Sequence, residues 1–94
     1  MVKIYADIRK NFGTNSSRRL RLKNFFPAII YGKNKPAILI KLNQNDIMNL
    51  FEKNILKKKN LFVVLKKKKI KVVIQEIQRH PIKHKFLHID FLRI

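Results

Sequence analysis

The stretch Leu61-Phe62-Val63-Val64-Leu65, Lys66-Lys67-Lys68-Lys69, Ile70-Lys71-Val72-Val73-Ile74-Gln75-Glu76-Ile77-Gln78 decides the fold class. Its first five residues are an apolar run of strand length, and the four lysines read as a turn. Ile70, Val72 and Ile74 then recur at every second position, as one inward face of a partner strand does. The alternation slips at Gln75–Ile77. One extra residue near Glu76, a β-bulge, restores it by shifting the register by one, and brings both Gln75 and Gln78 to the outer face. The unit is therefore a β-hairpin with a bulged second arm.

Working outward, His80-Pro81 ends that strand, and Leu87, Ile89 and Phe91 alternate with His88, Asp90 and Leu92 in a last one. Upstream, Val2, Ile4, Ala6 and Ile8 alternate with Lys3, Tyr5, Asp7 and Arg9 as a half-buried first strand. Ala28-Ile29-Ile30-Tyr31-Gly32 is the second strand, Asn34-Lys35-Pro36 its turn, and Ile38, Ile40 and Leu42 mark the third. Two short helices complete the pattern. One runs over Ser17–Asn24, capped by Ser16 or Ser17 and stopped by Pro27. The other is capped by Asn43 or Asn45, buries Ile47, Leu50, Phe51 and Asn54 or Ile55, and ends in Lys57-Lys58-Lys59 at the negative end of its dipole. Phe25, Phe26, Phe51, Phe62 and Phe91 are assigned to the core. The expected fold is mainly β (α+β): a small, six-stranded, mostly antiparallel β-barrel with two or three short helices, closed because closure removes exposed edges.

The 94 residues hold 23 Lys and Arg against 5 Asp and Glu, a net charge of +18, and the charge is spread over both halves. One domain spanning 1–94 is expected. With 46% hydrophobic residues the chain is no polybasic disordered tail, and without Cys it has no disulfide, thiolate metal site or Cys nucleophile. No apolar run is long enough for a membrane span and no signal core opens the chain, so a cytoplasmic location and no membrane partner are expected. Lys, Ile and Asn fill 40 of the 94 positions, a drift that accounts for many lysines but not for the six arginines. A charge of this size destabilises a compact chain unless a polyanion sits beside it, which makes nucleic acid the leading partner class.

Catalytic patterns are absent. His80, His84 and His88 are spaced as helical metal ligands, but Pro81 and the strand at 87–91 remove the helix. The five carboxylates are scattered, and the two glycines are too far apart for a phosphate loop. Neither catalysis, a cofactor nor a metal is expected. Binding patterns are stronger. Arg18, Arg19 and Arg21 cluster at a helix start, where forked guanidinium donors suit phosphate and guanine edges. Arg9, Tyr31, Gln75, Gln78, His88 and Asp90 all face outward by alternation or by the bulge. A plain solvated face of this composition would be mostly Lys, whereas two Gln, a His and an Asp offer the directed hydrogen bonds that read base edges. The four lysines at 66–69 read as a solvated hairpin tip.

Four spaced motifs carry a resemblance: Ser16-Ser17-Arg18-Arg19-Leu20-Arg21, Phe26-Pro27-Ala28-Ile29-Ile30-Tyr31-Gly32, Gln75-Glu76-Ile77-Gln78-Arg79-His80-Pro81 and His88-Ile89-Asp90-Phe91. In this order and over essentially the whole length the chain resembles the short form of the bL25 family of bacterial ribosomal proteins. The resemblance implies a six-stranded barrel docked on 5S ribosomal RNA at the internal loop called loop E, with other large-subunit components as neighbours and a monomer outside the ribosome. Carried over by matched position, it implicates Arg9, Ser17, Arg18, Arg21, Tyr31, Gln75, Gln78, Arg79, His88 and Asp90 in RNA binding. Departures from the family pattern are Asn15 and Ser16 between the glycine and the first arginines, Thr14 where some members carry Lys, and four lysines where a hairpin Asp-Gly is usual. The last predicts a longer or more mobile turn. The rival reading from charge alone is a nonspecific cationic nucleic-acid-binding protein.

Overall fold

The computed structural model describes residues 1–9, 18–20, 22–57 and 60–94. The alternating N-terminal segment forms two strands, β1 (Val2–Tyr5) and β2 (Asp7–Ile8), parted at Ala6. The Ala6 N–H still donates to the Val64 carbonyl (3.1 Å), while the Arg9 N–H donates to the Leu39 carbonyl (2.9 Å). Within four residues the strand has left one neighbour and joined another.

The remaining strands are β3 (Phe25–Gly32), β4 (Lys35–Asn43), β5 (Leu61–Leu65), β6 (Lys68–Arg79) and β7 (Phe86–Arg93). They form one sheet in the order β1-β5-β6-β7-β3-β4-β2. Its two ends are the same stretch of chain, so the sheet curls into a nearly closed barrel. The β1–β5 and β3–β7 pairs are parallel; the other four are antiparallel. The mainly-β, mostly antiparallel expectation holds, with the first of the six expected strands divided in two.

Inward positions of every long strand meet in one core. Ile4, Ile30, Ile40, Val63, Val72, Ile89 and Phe91 are all at most 2% exposed. Phe26 stacks on Phe86 with ring centroids 5.5 Å apart, and Phe51 meets Phe86 edge-on at 5.6 Å. The helix Gln44–Glu52 starts at Asn43, whose side-chain oxygen accepts from the N–H groups of Asn45 (2.9 Å) and Asp46 (3.1 Å). Gln44, the one buried polar side chain among the described residues, fastens this helix to β7: its amide donates to the Phe86 carbonyl (2.8 Å) and accepts from the Phe86 N–H (2.9 Å).

Several local expectations are corrected. Pro27 lies inside β3, which begins at Phe25; what precedes that strand is Asn24 in the left-handed region (φ 68°), not the proline. The capping role given to Ser16 or Ser17 lies outside the described residues. The β3–β4 turn is Lys33-Asn34, both at positive φ, and Lys35-Pro36 already belong to β4. The helix closes at Glu52 and Asn54 takes a positive φ of 58°, so its last turn holds no cation, and Ile55–Lys57 form a separate 3₁₀ turn. In β7 it is Phe86 that enters the core and not Leu87, because the β6–β7 register shifts a second time between Gln78 and Arg79. Phe26 and Phe91 are buried; Phe25, Phe51 and Phe62 are only half-buried.

The lysine hairpin is tighter than expected. Leu65 pairs with Lys68, leaving Lys66-Lys67 as a two-residue turn with φ of 45° and 71°. That left-handed pair is the hairpin turn that favours Asn-Gly, and ordinary L-residues enter it at a cost of about 1–2 kcal/mol each. Replacing Lys66 by Asn and Lys67 by Gly is expected to raise unfolding free energy by about 1–2 kcal/mol in urea titration. An unmoved midpoint would show the turn to be unstrained.

Candidate nucleic-acid interface

The bulge expected near Glu76 is present: Ile74 pairs with Phe91 and Glu76 with Asp90, leaving Gln75 as the extra residue. Two outward residues therefore stand side by side on β6, and Gln75, Glu76 and Gln78 are all exposed. Residues directly opposite in an antiparallel pair share a face. Since Ile77 pairs with the buried Ile89, the flanking pairs Gln78–His88 and Glu76–Asp90 point to the outside.

Across the barrel wall this register draws a transverse row. Glu76 on β6 faces Asp90 on β7, Asp90 pairs with Ile29 on β3, and Ile29 pairs with Leu39 on β4. Arg9 is joined to Leu39 by its backbone hydrogen bond, and its half-buried side chain follows β2. Next to the row, Gln78 and His88 form a second polar pair. On its other side Tyr31 pairs with Leu92 and Leu92 with Val73, so the polar positions border a half-buried apolar strip.

His88 and Asp90 are coupled. The His88 Nδ1 lies 2.8 Å from Asp90 Oδ1, with both side chains about one-third exposed at 31% and 29%. In a neutral ring the Nδ1–H donates to the carboxylate, and Nε2 is left as an acceptor pointing away from it. The pair thus fixes one ring orientation and keeps lone pairs on Asp90 for another donor. Glu76 adds a second acceptor opposite, and the Gln75 and Gln78 amides supply groups that both donate and accept.

Not every expected residue joins this face. Arg18 is exposed on a helical segment (residues 18–20 and Leu22) beside the barrel. Ser17 and Arg21 lie outside the described residues. Arg79 is turned onto the aromatic cluster, its guanidinium carbon 4.7 Å from the Phe51 centroid and 5.3 Å from that of Phe86. Its Nη2 lies 3.0 Å from His84 Nδ1, and His84 Nε2 reaches Glu52 at 3.6 Å. Sequence reading passed over Glu76, although the bulge that exposes Gln75 exposes it too. It also passed over Arg93, whose guanidinium donates to the carbonyls of Gly32 (2.8 Å) and Pro36 (2.7 Å) and so holds the β3–β4 turn. Nothing in the spacing of Arg93 signals that contact across 61 residues.

Among the described residues no group of three or more His, Cys, Asp or Glu could hold a metal ion, and no helix is long and apolar enough to cross a membrane. Comparison with known proteins matches residues 4–91 to the model of the ribosomal L25p family. The chain belongs to that family. A large ribosomal subunit protein bL25 of Buchnera aphidicola subsp. Acyrthosiphon pisum (strain Tuc7) is 48% identical over 94 residues, covering 100% of this chain and 99% of the relative. That of Photorhabdus laumondii subsp. laumondii is 44% identical over 93 residues, covering 99% of each. L25p members are ribosomal proteins, structural and not enzymatic, and this chain is one of them.

Within this L25p barrel Arg79 and Gln78 are neighbours in sequence with different duties. Arg79→Ala is expected to cost about 1–2 kcal/mol of folding stability, through lost stacking and stem packing. Gln78→Ala should stay within about 0.5 kcal/mol of the parent, as exposed positions do. Urea unfolding of both variants checks this. Equal stabilities would mean that the Arg79 stack contributes nothing.

Proposed function

We propose that this chain is a structural constituent of the large ribosomal subunit that binds 5S ribosomal RNA at an internal loop, loop E, through the outer face of β6 and β7 and the arginines near residue 18. The place of action is the cytoplasmic ribosome, and the other partners are neighbouring large-subunit components. Family membership and the full-length match to large-subunit proteins support the setting. The RNA reading rests on one observation above the others: the His88–Asp90 pair, flanked by Glu76 and Gln78, occupies the outer wall of a +18 chain.

Phosphate attraction needs only cations. A carboxylate directed at RNA is repelled by the backbone and contributes only where it accepts from base amino or imino groups. A His ring of fixed orientation and amides on an exposed strand add neutral, directed donors and acceptors of the kind that base edges match. An ordinary A-form major groove is too narrow for such groups, whereas an internal loop or the shallow minor groove presents base edges and 2′-hydroxyls. Arg18, exposed on its helical segment, supplies the phosphate contacts that fix register. The nonspecific packaging alternative is favoured by net charge alone.

Asp90→Ala separates the two by sign. Specific reading predicts a loss of about 1–3 kcal/mol on an RNA fragment carrying the internal loop, with no loss on an unrelated duplex. A purely electrostatic binder would gain affinity for both, having lost a repulsive charge. Titration of both RNAs at one salt concentration decides it.

A further inference from the structure

Residues 80–85 lie outside the face described above, yet they are closely built. His80 Nδ1 accepts from the N–H groups of Ile82 (3.1 Å) and Lys83 (2.9 Å). The His80 N–H donates to the Lys85 carbonyl (2.9 Å), and the Lys85 N–H to that of Lys83 (2.8 Å). Gln44 then pins Phe86, the next residue, from both sides. Four bonds within six residues hold Lys83 and Lys85 in a set relation to β6 and β7. Because Nδ1 accepts, the neutral ring carries its proton on Nε2, which is left as a donor.

Between this loop and the helical segment lies a cleft of about 200 Å³ lined by Arg18, Leu22, His80, Lys83, Lys85 and Leu87. Three cations line it, with no carboxylate among the described lining residues. They repel one another until an anion sits among them. At roughly 30 Å³ per water the space holds several waters, enough for one phosphodiester group. Two large apolar side chains stand in solvent close by, Leu22 at 81% and Ile82 at 90% exposure. Such apolar flanks suit the sugar of a nucleotide better than a free inorganic anion. Leu87 carries the cleft directly to His88.

We infer that this cleft seats one backbone phosphate of the bound RNA, next to the nucleotides read by the β6–β7 face. The inference rests on the RNA-binding reading above and adds Lys83 and Lys85 to it.

The test compares the intact chain with two doubly substituted chains of equal charge change, Lys83→Gln/Lys85→Gln and Lys68→Gln/Lys69→Gln. Each is titrated over a salt series with the internal-loop fragment and with an unrelated duplex, after circular dichroism has shown it folded. The cleft variant should lose tenfold or more on the fragment, with the log–log salt slope reduced by about 0.7–0.9, one phosphate's worth. The hairpin variant should lose less than threefold. A methylphosphonate scan of the fragment should then find one position whose neutralisation weakens the intact chain but not the cleft variant. Equal losses in the two variants would overturn the phosphate seat while leaving the intact chain's preference for the fragment untouched. An intact chain with no such preference would instead overturn the proposed function.

Discussion

The break at Ala6 is the constraint on which the rest of the structure depends. A strand that paired along its whole length with β5 would leave β4 as an open edge, and the reverse would expose β5. By spending Val2–Tyr5 on β5 and Asp7–Ile8 on β4, the chain joins both ends of its sheet with six strand residues. The row from Glu76 through Asp90, Ile29 and Leu39 to Arg9 runs across four strands and ends on the segment that makes the closure. Its spacing is therefore a property of the barrel and not of any one hairpin. The bulge at Gln75 and the register shift near Arg79 set which side chains of β6 and β7 take part in it.

On this frame the distribution of charge is informative. Most lysines are exposed, and they surround the barrel on many sides. Two of the five acids, by contrast, are placed directly opposite each other as Glu76 and Asp90. Like charges at cross-strand positions destabilise an isolated sheet by a few tenths to about 1 kcal/mol. A ligand that donates hydrogen bonds to both turns that cost into recognition. Arg79 and Arg93 show the opposite allocation: both serve the fold, one on Phe51 and Phe86, the other on the carbonyls of the β3–β4 turn.

Much of this was legible from local pattern. Period-two alternation together with the short apolar runs at 28–32 and 61–65 located the six expected strands, and the failure of alternation at Gln75–Ile77 located the bulge, because a half-buried strand cannot change faces without an extra residue. The outward placement of Gln78, His88 and Asp90 followed. The misplaced turns and helix ends share a cause in backbone conformations that composition does not announce. Asn24, Lys33, Asn34, Asn54, Lys66 and Lys67 all adopt positive φ, and so they end helices and tighten turns where proline or glycine was sought. The switch at Ala6 was hidden because alternation continues through it. The exchange of Phe86 for Leu87 in the core needed the second register shift, which only tertiary pairing reveals. The stack of Arg79 on Phe51 joins β6 to a helix 27 or more residues away, so no local pattern announces it.

In the proposed role the nearly closed barrel presents a directed polar face to one internal loop of 5S ribosomal RNA. A hydroxyl-radical footprint of the intact chain on that RNA tests it most directly. Protection is expected to be confined to the internal loop and its flanking base pairs, unchanged in position as salt is raised until binding is lost. Protection spread evenly over the RNA, fading uniformly with salt, would contradict it.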